Sequence, residues 1–379
     1  MLLAEIEATN FRNLSGKISW GPQLNIIYGN NGQGKTSWLE AIHILARTKS
    51  FRTQRLQETI KFGEGVAVIT GRVTAGAEII RELQVALQDN SKAIFVNSKR
   101  EPLARYLSQL QVFSFTAADL DVVRGMPEAR RRFLDRGISS IKPAYLQTIV
   151  DYSKVLKQKN KLLHVANEEE FSIEKLTDLV TPWNDQLIRL ATIIHEERTA
   201  YVNGLNTALE RQLFDRRDLG TRYLSSLEGK GDLSDYEGLL RSRIALRMGA
   251  EMAAGHSLIG PHRDDLEILL DGHEIRVYGS SGQQRSALLL LDLAAISLYN
   301  LATNDQPVFV IDDVDAELDE RRIRRLLEYL EDRTQTFITT SKRSHVEGFF
   351  SRAHVYEIEE GKVRSSSSPD QIAPITSIA

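Results

Sequence analysis

Residues 28–42 read YGNNGQGKTSWLEAI, a glycine-rich loop set between an apolar run at Leu24–Tyr28 and a helix-periodic run that begins at Lys35. A loop in that setting leaves few folds open, because strand, loop and helix must follow one another on the edge of a buried sheet. Gly29, Gly32 and Gly34 let the backbone bend tightly, so that the N–H groups of the loop, Asn30, Asn31 and Gln33 included, can point at phosphate oxygens. Lys35 is placed to reach β- and γ-phosphates, and the Thr36 hydroxyl to hold Mg²⁺. Trp38, Ala41, Ile42 and Leu45 recur at helical spacing and predict a stripe that packs the helix on a sheet. The cofactors expected from this segment are ATP and Mg²⁺.

At 379 residues the chain exceeds the size at which single cores usually stop growing, which predicts one large lobe with a smaller one inserted or appended. A hydrophobic content of 42% and a charged content of 26% are those of an ordinary globular protein. The longest apolar run, near 287–291, is bounded by Arg285 and Asp292, so no membrane association is expected. MLLAEIEATNF carries acids where a signal peptide carries basic residues, which predicts a cytoplasmic location. With no cysteine, disulfides, thiolate zinc sites and cysteine nucleophiles are excluded. The net charge of -3 neither demands nor forbids nucleic acid, since a local basic patch decides that.

Along the chain, residues 1–125 read as the N-terminal part of an ATPase lobe with an antiparallel β subdomain, its strands expected at 66–73, 79–87 and 93–96. Pro127 opens a helical stretch over 128–161, 167–170 reads as a polar connection, and 173–213 reads as helix interrupted at Thr181-Pro182. With a further helix at 236–254, residues 126–254 form an inserted helical arm or lid, too short and broken for a long coiled coil. Residues 255–364 return to the lobe, with Asp271-Gly272 as a hairpin turn between 266–270 and 273–277. Residues 365–379 read as a flexible tail.

PVFVIDDVDAELDERR, residues 307–322, runs from buried-strand character into two adjacent carboxylates. In this Walker B pattern Asp312 would bind Mg²⁺ and Asp313 would orient the attacking water. Gly279-Ser280-Ser281-Gly282-Gln283-Gln284-Arg285 stands immediately before a strongly apolar helix and makes a second anion site. Two phosphate-binding loops in one chain imply a site shared between two copies. The loop resembles the signature motif of ATP-binding-cassette ATPases, with Ser280 and Gly282 in the places of its serine and second glycine and Gln283 beside them. Asp315-Ala316-Glu317-Leu318-Asp319 resembles the D-loop of the same interface.

Together with NFRNL (10–14), SFRT (50–53), DLDVVRGMPEARRRFLD (119–135) and GPHRDDL (260–266), these motifs make the chain similar over nearly its whole length to the RecF family. That resemblance implies an α/β fold: an ATP-binding-cassette P-loop ATPase head with an antiparallel β subdomain and a short helical arm. It implies a weak, DNA-stimulated ATPase that dimerises on ATP, binds duplex DNA or a single-strand/duplex junction, and acts with RecO and RecR in recombinase loading and the SOS response. It also implies nucleotide contacts by Arg12 and Asn13, with Arg52 a further candidate for phosphate. Two departures from typical cassettes stand out. Asp313 replaces the usual glutamate, consistent with slow hydrolysis, and no switch histidine follows the strand at 336–340, leaving Thr339, Thr340 and Ser341 as candidates to sense γ-phosphate.

Basic residues at 99–100, 124, 130–132, 154–161 and 241–247 could track a duplex backbone, although each group alone suits a solvated helix face. His262, Asp264 and Asp265 include metal-ligand types, but the turn that carries them reads as structural. The competing readings are a P-loop metabolite kinase, in which one chain suffices, and a transporter's ATPase subunit.

Overall fold

The computed structural model describes residues 1–75, 79–89, 91–209 and 218–369. Its strands, in chain order, are β1 (Leu2–Phe11), β2 (Leu14–Ser19), β3 (Leu24–Tyr28), β4 (Val66–Ala75), β5 (Ile79–Gln88), β6 (Ser91–Val96), β7 (Lys99–Arg100), β8 (Val112–Phe115), β9 (Leu219–Leu224), β10 (Asp265–Leu270), β11 (His273–Glu274), β12 (Val308–Ile311), β13 (Gln335–Thr340), β14 (His354–Glu359) and β15 (Lys362–Ser367). In their described parts, one compact unit comprises residues 1–120 and 285–369, and a second comprises 121–209 and 218–284.

The first unit holds two sheets. An antiparallel sheet has the order β2-β1-β4-β5-β6-β7, and a mostly parallel sheet the order β15-β14-β3-β13-β12-β8. In the second sheet VFVI (β12) and QTFITT (β13) are buried at every position, as interior parallel strands covered on both faces must be. The helix Lys35–Arg47 contacts strands of both sheets and is buried nearly all round, from Lys35 to Ala46. The stripe expected to face one sheet is therefore only part of its apolar surface. Leu39 and Ile44, off that stripe, are fully buried as well.

The second unit is a bundle of the helices Pro127–Ile141, Ala144–Glu168, Ile173–Leu209 and Tyr236–Ala254 with a three-stranded sheet, β11-β10-β9. The sequence division placed residues 255–284 with the nucleotide lobe. They cluster instead with the helices, because β10 pairs antiparallel with β9 from Asp265↔Leu224 to Leu270↔Leu219. β9 gave no signal of its own in the sequence reading.

Several local expectations are also corrected. Helix Ala144–Glu168 takes in the first half of the stretch read as a polar connection, and 173–209 is one helix with Pro182 inside it; positions 210–213 lie outside the described residues. Pro182 removes one intrahelical hydrogen bond, yet it sits on the exposed face while Val180, Leu187 and Ile188 are buried beside it. After the Asp271-Gly272 turn only His273–Glu274 pairs, and Ile275–Tyr278 turns into a short helix. Residues 365–367 of the expected tail belong to β15, and 370–379 lie outside the described residues. Helix Ser281–Thr303 is long and apolar enough to cross a membrane by composition, which the sequence reading did not expect. Its apolar side chains between Ala287 and Ile296 are mostly buried in the protein, and Asp292 is buried among them.

Candidate functional site

The turn between β3 and the helix Lys35–Arg47 needs left-handed backbone at three positions, and glycine occupies each: Gly29, Gly32 and Gly34 have φ of 151°, 81° and 103°. Lys35 folds back over the loop, its Nζ donating to the carbonyls of Gly29 (2.7 Å) and Asn30 (3.0 Å). Burial lowers the Lys35 pKa, and the nearby carboxylates of Asp313, Asp312 and Asp315 oppose that shift. Asn30, Asn31 and Gly32 are exposed at the outer edge of the loop.

The end of β12 brings the acidic residues to the same place. Thr36 Oγ1 donates to Asp312 Oδ1 at 2.8 Å, and Thr339 Oγ1 from β13 donates to the same oxygen at 2.8 Å. Asp313 follows in a left-handed conformation, φ 50°, with its N–H held by Thr339 Oγ1 at 2.7 Å and its side chain exposed. Partial desolvation by the surrounding site, then the charges of Asp312 and Asp315, raise the Asp313 pKa. Asp315 Oδ2 accepts from the Thr340 hydroxyl and from the N–H groups of Ser341 (2.8 Å) and Lys342 (3.0 Å). Of the three candidate sensors, Thr339 is thus bound to Asp312, while Thr340 and Ser341 are bound to Asp315.

A histidine does follow β13. The turn Arg343–His345 folds back so that His345 Nδ1, five residues beyond the strand, stands 3.3 Å from Asp315 Oδ1, where no histidine was expected to follow.

Arg12 and Asn13 reach this region from the β1–β2 turn. Arg12 forms a bidentate pair with Glu40, a fully buried carboxylate on the helix after the loop (Nη2–Oε1 2.8 Å, Nε–Oε2 3.0 Å), and Arg52 joins from the other side at 3.4 Å. Glu40 was not singled out in the sequence, where a carboxylate on an otherwise apolar helix carries no pattern. Asn13 lies against Gly34, where an ideal Cβ would stand 2.9 Å from Asn13 Nδ2. The Gln33 side-chain Oε1 accepts from the Glu360 N–H at 2.7 Å.

The signature-like loop belongs to the second unit. Ser280 Oγ accepts from the Gln283 N–H at 3.3 Å while Gln283 Oε1 accepts from the Ser280 N–H at 2.7 Å, a reciprocal cap at the start of helix Ser281–Thr303. Ser280, Ser281 and Gly282 are exposed. Also in this unit, Asp264 accepts from the Tyr223 hydroxyl and the Ser226 N–H, and Asp265 pairs bidentately with Arg130 at 2.7 and 2.8 Å. The GPHRDDL carboxylates are therefore occupied by structural partners. No group of three or more His, Asp or Glu among the described residues is arranged to hold a metal ion; Thr36 and Asp312 together supply two oxygens, the number of protein ligands Mg²⁺ commonly takes beside phosphates and water.

The family model described as RecF/RecN/SMC N terminal domain matches residues 2–364. "DNA replication and repair protein RecF" of Lysinibacillus sphaericus is 32% identical over 97% of this chain and 100% of its own length. The chain belongs to the RecF family. The protein of the same name from Geotalea daltonii is 34% identical, covering 96% of this chain and 100% of its own. Among solved structures, that of the recombination mediator protein RecF with ATP in the RecFOR pathway superimposes with a TM-score of 0.87 at 30% identity, covering 97% of this chain and 98% of its own. An Smc head domain from Pyrococcus furiosus shares the fold alone, with a TM-score of 0.57 at 14% identity. The fold expected from the sequence is thus the one present: a RecF/SMC-type ABC ATPase head, mixed α/β with an antiparallel sheet and helices and, among the described residues, no long coiled coil.

Proposed function

We propose that this RecF-family chain is an ATP-dependent DNA-binding protein of recombinational repair and replication restart, working in the cytoplasm with RecO- and RecR-type partners. ATP binding joins two copies, and the dimer holds duplex or gapped DNA while recombinase is loaded. The observation that carries the reading is the convergence of Lys35, Thr36, Asp312 and Asp313, drawn from both ends of the sequence, around one glycine loop.

Among the described residues Lys35 hydrogen-bonds only to loop carbonyls, so a phosphate offers it a charged partner in place of neutral ones. Thr36 and Asp312 would hold Mg²⁺, which neutralises charge on the β- and γ-phosphates. Asp313, held at its N–H by Thr339, would orient the attacking water; its shorter reach compared with glutamate favours slow turnover. The exposed Ser280–Gly282 stretch at a capped helix N-terminus suits the γ-phosphate on a second copy, which makes ATP part of the dimer interface.

Sedimentation of the chain with ATP-Mg²⁺ and a gapped duplex tests this, alongside Lys35→Met and Ser280→Arg. The expected result is an ATP-dependent, DNA-bound dimer, lost in Lys35→Met through failure to bind ATP and lost in Ser280→Arg with ATP binding retained. A native chain that stays monomeric and ignores DNA at moderate salt would sink the reading and return a small-molecule kinase to consideration.

A further inference from the structure

The outer half of the phosphate loop is gripped by a β-turn that lies 327 positions away in sequence. β14 runs parallel to β3, placing Glu357 opposite Tyr28, and β15 returns antiparallel through a two-residue turn, Glu360–Gly361. Both turn residues have positive φ, 49° and 79°, as a type I′ hairpin requires. The Gly361 N–H donates to the Gln33 carbonyl at 2.8 Å, and the Glu360 N–H to the Gln33 side chain at 2.7 Å. Trp38 Nε1, one turn into the helix, donates to the Gly361 carbonyl at 3.2 Å.

The contact leaves no room for side chains. An ideal Cβ on Gly361 would stand 2.1 Å from the Asn13 carbonyl oxygen, and one on Gly29 would stand 2.5 Å from the Ile358 carbonyl oxygen. The loop is thus bounded by the β1–β2 turn of one sheet and the β14–β15 turn of the other. The Gln33 carbonyl and the Gly34 N–H belong to one planar trans peptide and point in opposite directions. Binding that carbonyl to Gly361 therefore turns the Gly34 N–H away from the hairpin, where a backbone donor is available to phosphate.

We propose that the Glu360–Gly361 turn is a positioning element of the nucleotide site: by holding Gln33 it sets the orientation of the loop's backbone donors, so that ATP affinity depends on a hairpin outside every ATPase motif. This rests on the nucleotide reading above. It predicts that the turn responds to nucleotide, which simple packing of a distant hairpin would not.

The test measures binding of the non-hydrolysable analogue AMPPNP with Mg²⁺ by calorimetry, using the full chain, Gly361→Ala and Gln33→Met. Gln33→Met keeps the side-chain length and removes the amide whose oxygen accepts from Glu360; it should weaken binding roughly 3- to 10-fold, the effect of losing about one hydrogen bond. Gly361→Ala, which forces the turn off Asn13, should weaken it by about 10-fold or more. Hydrogen exchange across 357–363 should slow when AMPPNP binds the native chain and respond less in Gln33→Met. Where Gly361→Ala fails to fold, Gln33→Met with an unchanged nucleotide-free melting temperature carries the comparison. Native-like affinity in the folded variants, with exchange in the turn indifferent to nucleotide, overturns the proposal alone. A native chain that does not bind AMPPNP overturns the nucleotide reading and the proposal with it.

Discussion

Thr36 and Asp312 meet hydroxyl to carboxylate at 2.8 Å, joining the first turn of the phosphate-loop helix to the end of β12. Thr339 shares the same carboxylate oxygen, so strand β13 is tied into the contact. A carboxylate held by two hydroxyls keeps its position when a cation arrives, and only the hydrogen-bond partners need to rearrange.

Replacing that carboxylate separates metal from nucleotide. Asp312→Asn should leave Mg²⁺-free ATP binding largely in place and remove most of the gain in affinity that Mg²⁺ brings. Titration of ATP with and without Mg²⁺ reads the difference; an Mg²⁺ effect as large as the native one would place the metal elsewhere.

Asp313→Asn should bind ATP and still form the dimer, with turnover reduced on the order of 10²-fold, the low end for loss of a positioned base. In the native chain the raised pKa of Asp313, from partial desolvation and then from Asp312 and Asp315, favours its protonated form. Turnover should therefore fall on the acid side at a higher pH than for an ordinary aspartate. Single-turnover assays across pH on both proteins check this, and an unshifted acid limb in the native enzyme would count against Asp313 as the group responsible.

His262 gives the helical unit a pH dependence of its own. Its Nε2–H donates to the Ser257 carbonyl and its Nδ1 accepts from the Tyr152 hydroxyl at 2.7 Å, an arrangement that requires the neutral ring. Burial lowers its pKa to about 4, from 6.5. Below 6.5 the unfolded chain takes up a proton that the folded chain refuses, so stability present at neutral pH is lost as pH falls from about 6.5 through 4. The slope contributed approaches about 1.4 kcal/mol per pH unit. Denaturant unfolding from pH 7 to 4 should show this slope flattened in His262→Gln.

The basic clusters divide into structural and available charges. Arg130 is buried in its pair with Asp265, Arg131 donates to the Asp264 carbonyl, and Lys159 is fully buried against Glu251 at 2.6 Å. Arg130→Ala should cost about 3 kcal/mol of stability by leaving a carboxylate unpaired. Lys157 and Lys161 are exposed. Replacing both with Ala should leave the melting temperature nearly unchanged and, where they meet DNA, lower the salt slope of binding by about one per contact. DNA titrations at several salt concentrations separate the two classes.

Much of this molecule is written in local sequence. Three left-handed positions in one turn need glycine, a buried parallel strand needs an unbroken apolar run, and the phosphate loop, β12 and the helix Tyr236–Ala254 lie where those rules put them. Only tertiary structure decided what depends on partners distant along the chain. β9 exists as a strand because β10 lies beside it, and Arg130 is a structural residue because Asp265 is within reach. His345 turns back onto Asp315, and Gln33 faces a hairpin 327 positions away. A backbone conformation is selected by the residue that must adopt it, so it can be read position by position. A hydrogen bond or ion pair is selected by where the rest of the chain brings its partner, and that is settled only when the sheets have formed.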